Sequence, residues 1–264
     1  MTIRSHSIFA PASVFITAFF HWLFIEPKIK KKIFEVLVTC TIGLAASPSV
    51  DAHYILTDLG TLSGIESTAL AVNNTGQIAG AAYIANGNYH AVIWTGAGPT
   101  DLGTFGGVIS SAYGINNVGQ VVGLSALPGN VYHATVWNGT LATDLGSLGG
   151  AFSAAYGIND HGQVVGYGYL PGSSGFHAAI WNGTVPTDLG TLGGTYSMAR
   201  AVNNASQVVG WSYTANNGAQ HATIWNGTIA TDLGTLGGNG SVAYDLNNGG
   251  QVVGWCQSAS NTFH

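Results

Sequence analysis

The sequence predicts an all-β fold built from tandem four-stranded units of about 43–44 residues. Three observations predict it. Asp-Leu-Gly recurs at Asp58, Asp101, Asp144, Asp188 and Asp232, at spacings of 43, 43, 44 and 44. Gln77, Gln120, Gln163, Gln207 and Gln251 repeat the same four spacings. Between these marks lie short Val-, Ile-, Thr- and aromatic-rich runs bounded by Gly and Asn, the composition of strands and turns rather than helices. Self-similarity at such a period, with four short strands in each unit, is the pattern of a propeller blade. A β-solenoid is the alternative architecture.

Residues 110 to 150 show the elements in order. Ser110 to Ile115 is a first strand. Asn116-Asn-Val-Gly119 is a turn whose Gly suits a left-handed position. Gln120 to Leu124 is a second strand, and a looser loop with Pro128-Gly129 follows. His133 to Trp137 is a third strand, Asn138-Gly139 a two-residue hairpin signal, and Thr140 to Leu145 a fourth strand. Gly146 to Gly150 links to the next unit.

Taking Asn138-Gly139 as the loop sets Trp137 opposite Thr140 and His133 opposite Asp144. The same register sets His177 opposite Asp188 and His221 opposite Asp232, and with Thr95-Gly96 as the loop it sets His90 opposite Asp101. Cross-strand neighbours on one face lie about 4.5–5.5 Å apart at Cβ, so each complete unit is expected to hold one structural His–Asp pair beside a Trp.

The chain divides at about residue 52. Lys28 to Lys32, the apolar run Ile33 to Ala46 and a small-residue stretch ending at Val50-Asp51-Ala52 form the three regions of a signal peptide, with cleavage expected before His53. The run is shorter than the roughly 20 residues that span a bilayer. A second apolar stretch, Ile8 to Ile25, leaves a membrane anchor through the N-terminal segment as the alternative. Residues 1–52 are thus read as a hydrophobic extension with signal peptide. Residues 53–264 are read as an array of about five units, the last incomplete, which suggests a piece of a longer array. Cys40 falls in the removed segment and Cys256 stands alone, so no disulfide framework is expected.

Charge excludes several functions. Charged residues are 6% of the chain, against about a quarter in ordinary soluble domains. After Ala52 the single basic residue Arg200 faces eight acidic ones, a net charge of −7. Such a body cannot neutralise a run of phosphates, so neither nucleic acid nor an anionic membrane is an expected partner of the mature part.

The run Gly-Ile-Asn-x-x-Gly-Gln-Val-Val-Gly, then His-Ala-x-x-Trp, then Thr-Asp-Leu-Gly-x-Leu-Gly-Gly resembles the HAF repeats of bacterial extracellular proteins over about residues 54 to 264. Where that family's name has Phe after His-Ala, this chain has Val92, Thr135, Ala179 or Thr223. The resemblance implies an exported repeat protein. It supplies no activity, substrate or catalytic residue.

No catalytic, cofactor-binding or metal-ligating residue is assigned. Equivalent His residues sit on separate units, and one His with one Asp gives too few ligands for zinc. A pair repeated in every unit argues for service to the unit itself, because catalytic constellations are single and non-repeated. Arg200 and Asp245 break the pattern, Arg200 standing where Tyr113, Tyr156 and Tyr244 stand elsewhere. Glu66, Asp160 and His161 read as loop or turn residues. Asn138, Asn182 and Asn226 match a glycosylation sequon, and the hairpin turn accounts for them. The expected function is a secreted, extracellular or cell-surface, non-enzymatic module for an unknown extracellular ligand or surface component. A propeller-type hydrolase or lyase and a structural adhesin segment are the alternatives.

Overall fold

The computed structural model describes residues 2–3, 55–129 and 131–264. The signal-peptide reading, the second apolar stretch, Cys40 and the cleavage point at His53 lie outside the described residues. The chain forms two compact bodies. In the first, Thr2–Thr57, the described elements are β1 (Thr2–Ile3) and β2 (Leu56–Thr57), paired antiparallel.

The second body, Asp58–His264, is nearly all β, with one short 3-10 turn at Ala215–Asn217. Its strands form successive antiparallel meanders. The first unit is β3 (Ser67–Val72), β4 (Ile78–Tyr83), β5 (Tyr89–Thr95) and β6 (Gly98–Asp101). The second is β7 (Ser110–Ile115), β8 (Gln120–Leu127), β9 (Val131–Asn138) and β10 (Leu141–Asp144). The third is β11 (Ser153–Ile158), β12 (Val164–Tyr169), β13 (Phe176–Asn182) and β14 (Val185–Asp188). The fourth is β15 (Gly193–Val202), β16 (Gln207–Thr214), β17 (Gln220–Asn226) and β18 (Ile229–Asp232). The fifth has β19 (Gly237–Leu246) and β20 (Val252–Ser258).

The hairpin register departs from the sequence expectation by two residues. Asn138 pairs with Leu141 and Asp144 with Thr135, so Gly139-Thr140 is the loop. Asn182 with Val185, Asn226 with Ile229 and Thr95 with Gly98 follow the same rule. Gly139 adopts φ 59°, and a positive φ at the first loop residue alone is the requirement of a type II′ turn. Asn138 therefore stays in the ladder, where it also pairs with Gln120 across β8. A slip of two preserves which face each side chain occupies, so His and Asp still meet, diagonally instead of directly opposite.

Every described first strand carries a bulge, at Leu70, Tyr113, Tyr156, Arg200 and Tyr244, each skipped by the pairing on either side. Opposite the bulge the second strand has Gly, at Gly166 for example, because a Cβ there would run into the carbonyl of Ala154.

The core lies between consecutive units. Val122, Ala134 and Leu145 of the second unit pack against Ala155, Val164, Ala179 and Trp181 of the third. Val165, Ala178 and Leu189 of the third meet Ala199, Val208 and Trp225 of the fourth. Trp137, Trp181 and Trp225 are fully buried, each reaching toward the preceding unit. Alternation along each strand supplies one apolar row to each neighbour, so each unit is completed by the next.

Candidate functional site

The four predicted pairs meet in space. His90 Nδ1 lies 3.0 and 2.9 Å from the two oxygens of Asp101, and His133 Nδ1 lies 2.9 Å from both oxygens of Asp144. His177 Nδ1 is 3.0 and 2.8 Å from Asp188, and His221 Nδ1 is 2.7 Å from Asp232 Oδ2. The carboxylates can only accept, so each Nδ1 carries the proton and donates. Each Asp also takes its own turn: Asp144 Oδ1 accepts the Gly146 N–H at 2.7 Å, and Asp101, Asp188 and Asp232 accept from Gly103, Gly190 and Gly234. Asp58 does the same for Gly60. The pairs tie the third strand to the turn that leaves the fourth.

Burial pushes the Asp188 carboxyl up, but the His177 hydrogen bond and the Gly190 N–H outweigh it and hold the group below the ordinary carboxylate range. Among the described residues no hydroxyl hydrogen-bonds to Nε2 of these four histidines, and no cluster of three His, Cys, Asp or Glu side chains could hold a metal. Nucleophilic catalysis of the Ser-His-Asp kind needs a hydroxyl at that nitrogen.

The turn after each first strand holds what the sequence reading missed. Asn159 Oδ1 accepts the N–H of His161 (3.1 Å) and of Gln163 (2.9 Å). Its Nδ2 donates to Gln163 Oε1 (2.7 Å) and to the carbonyl of Asn203 in the next unit (2.9 Å). Asn73, Asn116 and Asn203 donate likewise to Asn116, Asn159 and Asn247. A second ladder runs beside it: the N–H groups of Asn74, Asn117, Asp160 and Asn204 donate to side chains of Asn117, Asp160, Asn204 and Asn248. Asp160, read as a plain turn residue, is a rung. The backbone N–H and side-chain amide of Asn117 hold its carboxyl below the ordinary range. The recurring Gln is thereby explained: its Oε1 braces the Asn that links one unit to the next.

A third link uses Ser. Ser110, Ser153, Ser197 and Ser241 each accept the N–H of the Ala in the preceding His-Ala, at 2.8 Å, and donate to a Gly carbonyl of the preceding linker at 2.6–2.7 Å. Cys256 Sγ accepts the Leu236 N–H as Ser125 and Ser212 accept those of Phe105 and Leu192. The sequons end their strands: Asn138, Asn182 and Asn226 close the third-to-fourth hairpins and are exposed. Glu66 is exposed and contributes its carbonyl to Tyr83 N–H.

The bulge residues come together along adjoining first strands. Tyr113 stacks on Tyr156 with ring centres 5.1 Å apart, and the Arg200 guanidinium lies 5.2 Å from the centre of the Tyr244 ring. Approach is close because Gly114 and Gly157 lack a side chain: a Cβ would fall 2.8 Å from Tyr156 O and 2.7 Å from Arg200 O. Burial raises the Tyr156 hydroxyl above its usual range, and the nearby Arg200 charge partly opposes it. Asp245 pairs with Val253 and makes no ion pair with Arg200.

The chain matches no protein-family model and no curated protein.

Proposed function

We propose that the array consists of propeller-type blades of HAF-repeat character and serves as an exported, non-enzymatic binding module. The observation that supports this best is where the recurring polar side chains go. His, Asp, Asn, Gln and Ser at repeating positions are each engaged in a hairpin, a turn or a link between units. What a scaffold of this kind leaves free for a ligand is its loops and its non-repeated residues. The export reading rests on the Lys28–Lys32 run and the apolar run after it. Among the described residues no helix is long and apolar enough to cross a membrane.

The test is a double-mutant cycle at His177 and Asp188, read by stability and by turnover of ester and glycoside substrates. Asp188 is about two-fifths exposed, so each single change to Ala is expected to cost about 0.2–1 kcal/mol, and the double change clearly less than the two together. The carboxyl is held low in the fold, so its contribution is present above the ordinary carboxylate pKa of about 3.9 and is lost as pH falls through the folded value. Wild type should therefore lose melting temperature on acidification more steeply than Asp188→Asn. Turnover that vanishes in His177→Ala with the melting temperature unchanged overturns the non-enzymatic reading.

A further inference from the structure

We infer that Arg200 is the anchor of a ligand site, and that its ligand is a single carboxylate carried on a ring. The inference deepens the binding-module reading and rests on it. Arg200 is the one basic side chain after Ala52, in a body carrying eight acids. A lone cation in acidic company ordinarily finds a carboxylate, yet Arg200 makes no ion pair and no side-chain hydrogen bond among the described residues. Its Nε is buried without a partner. Among the described residues Nη1 and Nη2 also lack a hydrogen bond and do not belong to the buried atoms, so the open end of the guanidinium is where an arriving acceptor meets it.

The surroundings narrow the chemistry. Arg200 is a bulge residue, and bulges re-aim a side chain away from the regular alternation. The position is Tyr in the neighbouring units, so the guanidinium extends a column of rings: Tyr113 on Tyr156, then Arg200, then Tyr244. Tyr244 is 49% exposed, and Tyr156 stacks in turn on Tyr167. A guanidinium held by cation–π contact keeps its planar fork for two parallel hydrogen bonds, the geometry of a carboxylate. Flat tyrosine faces beside it suit the apolar face of a sugar ring or an aromatic ring. One arginine answers one carboxylate. A polyanion would meet the net charge of −7 and be repelled.

The test uses matched pairs of ligands on the purified protein, titrated by ligand-observed NMR. Methyl β-D-glucuronide is compared with methyl β-D-glucoside, and benzoate with benzyl alcohol. Each pair differs at the carboxylate alone, and the pair with the larger preference identifies a sugar or an aromatic body. The acid of at least one pair is expected to bind roughly tenfold or more tighter than its neutral partner, the usual worth of a hydrogen bond to a charged group. Arg200→Tyr installs the side chain that the second, third and fifth units carry, so it should fold, with an unchanged circular dichroism melt, and lose the preference. Arg200→Lys keeps the charge without the fork and should retain part of it. Should Arg200→Tyr fail to fold, Arg200→Lys and Tyr244→Ala read the same preference, and no weakening in either overturns the site. Equal binding of acid and neutral partners in both pairs, or a preference that survives Arg200→Tyr, also overturns it. If neutral glycosides bind while the acids show no preference, the binding-module reading stands and this site falls. If the acids bind through Arg200 and are converted, the site stands and the non-enzymatic reading falls.

Discussion

The junction between the second and third units and the outward face of the fifth are built from the same rows of residues, and they end in different states. Val122 and Val165 on second strands are fully buried by the following unit, as is Val209. Val253, at the same place in the fifth unit, is 61% exposed. Tyr156 is half-buried beneath its neighbour's first strand, and Tyr244 is open. Sequence identity of position therefore does not fix burial. A sheet of this kind has apolar residues on both faces and becomes a core only when a neighbour stacks on it, which makes the junction and not the sheet the unit of stability.

The sharpest way to break that contrast is to empty a junction. Trp181 is fully buried among Val122, Ala134 and Leu145 of the preceding unit. Trp181→Ala is expected to cost about 3–5 kcal/mol, the transfer loss plus the cavity. Val253→Ala, on the open face, should stay within about 0.5 kcal/mol. Denaturant melts of the two variants compare them directly. Similar costs would show that the fifth face is covered in solution.

The polar ladder gives a second, smaller contrast. The Asn159 side chain makes four hydrogen bonds, one of them to the next unit, and the residue is buried. The Asn247 side chain bonds only within its own turn, to the Gly249 and Gln251 N–H groups and the Gln251 side chain, and the residue is exposed. Asn159→Ala should cost about 1–3 kcal/mol, since it orphans the His161 and Gln163 N–H groups and leaves the Asn203 carbonyl with the Ser206 N–H alone. Asn247→Ala should cost less than about 1 kcal/mol, because water replaces exposed bonds. Equal losses would mean that the Asn stabilises only its own turn and that the inter-unit bond adds nothing.

Much of this was legible in the sequence, and the reason is physical. Period-2 runs, Gly-marked turns and Asn-Gly signals are local, so the strands read directly from residues 110 to 150. The His–Asp meetings were legible because a two-residue register error leaves side-chain faces unchanged. The register itself was not, since Asn138-Gly139 and Gly139-Thr140 are both acceptable loops and the choice depends on Asn138 pairing with Gln120. The Asn ladders were hidden for a different reason. Each rung joins residues 43 or 44 apart, across units whose mutual placement no local signal gives. The clue was present, an Asn four residues before every recurring Gln, but a turn accounts for Asn just as well. Arg200 showed as an exception to the pattern; its place on a bulge, and its lack of a partner among the described residues, depend on the three-dimensional packing of the units.

The smallest expected effect lies in the same turns and sets two terms against each other. Four of the five turns place Gly at the residue before Gln, with φ between 78° and 85° at Gly76, Gly119, Gly162 and Gly250. The fourth unit has Ser206 there, at φ 63°. A non-Gly residue in that left-handed region is strained by about 1–2 kcal/mol. Ser206 has a compensation: its hydroxyl donates to Gln163 Oε1 of the preceding unit at 2.7 Å. That bond is exposed, so its net worth is about 0.5 kcal/mol, the low end for a hydrogen bond. Gly also loses more backbone entropy on folding, by roughly 0.5–1 kcal/mol. Ser206→Gly should therefore change stability only slightly, between a loss of about 0.5 and a gain of about 1 kcal/mol, while Ser206→Ala, which keeps the strain and loses the bond, should be the less stable of the two. Thermal melts of both variants give the order. If Ser206→Ala were the more stable, backbone strain would not govern this position, and Gly at the other four turns would need another explanation.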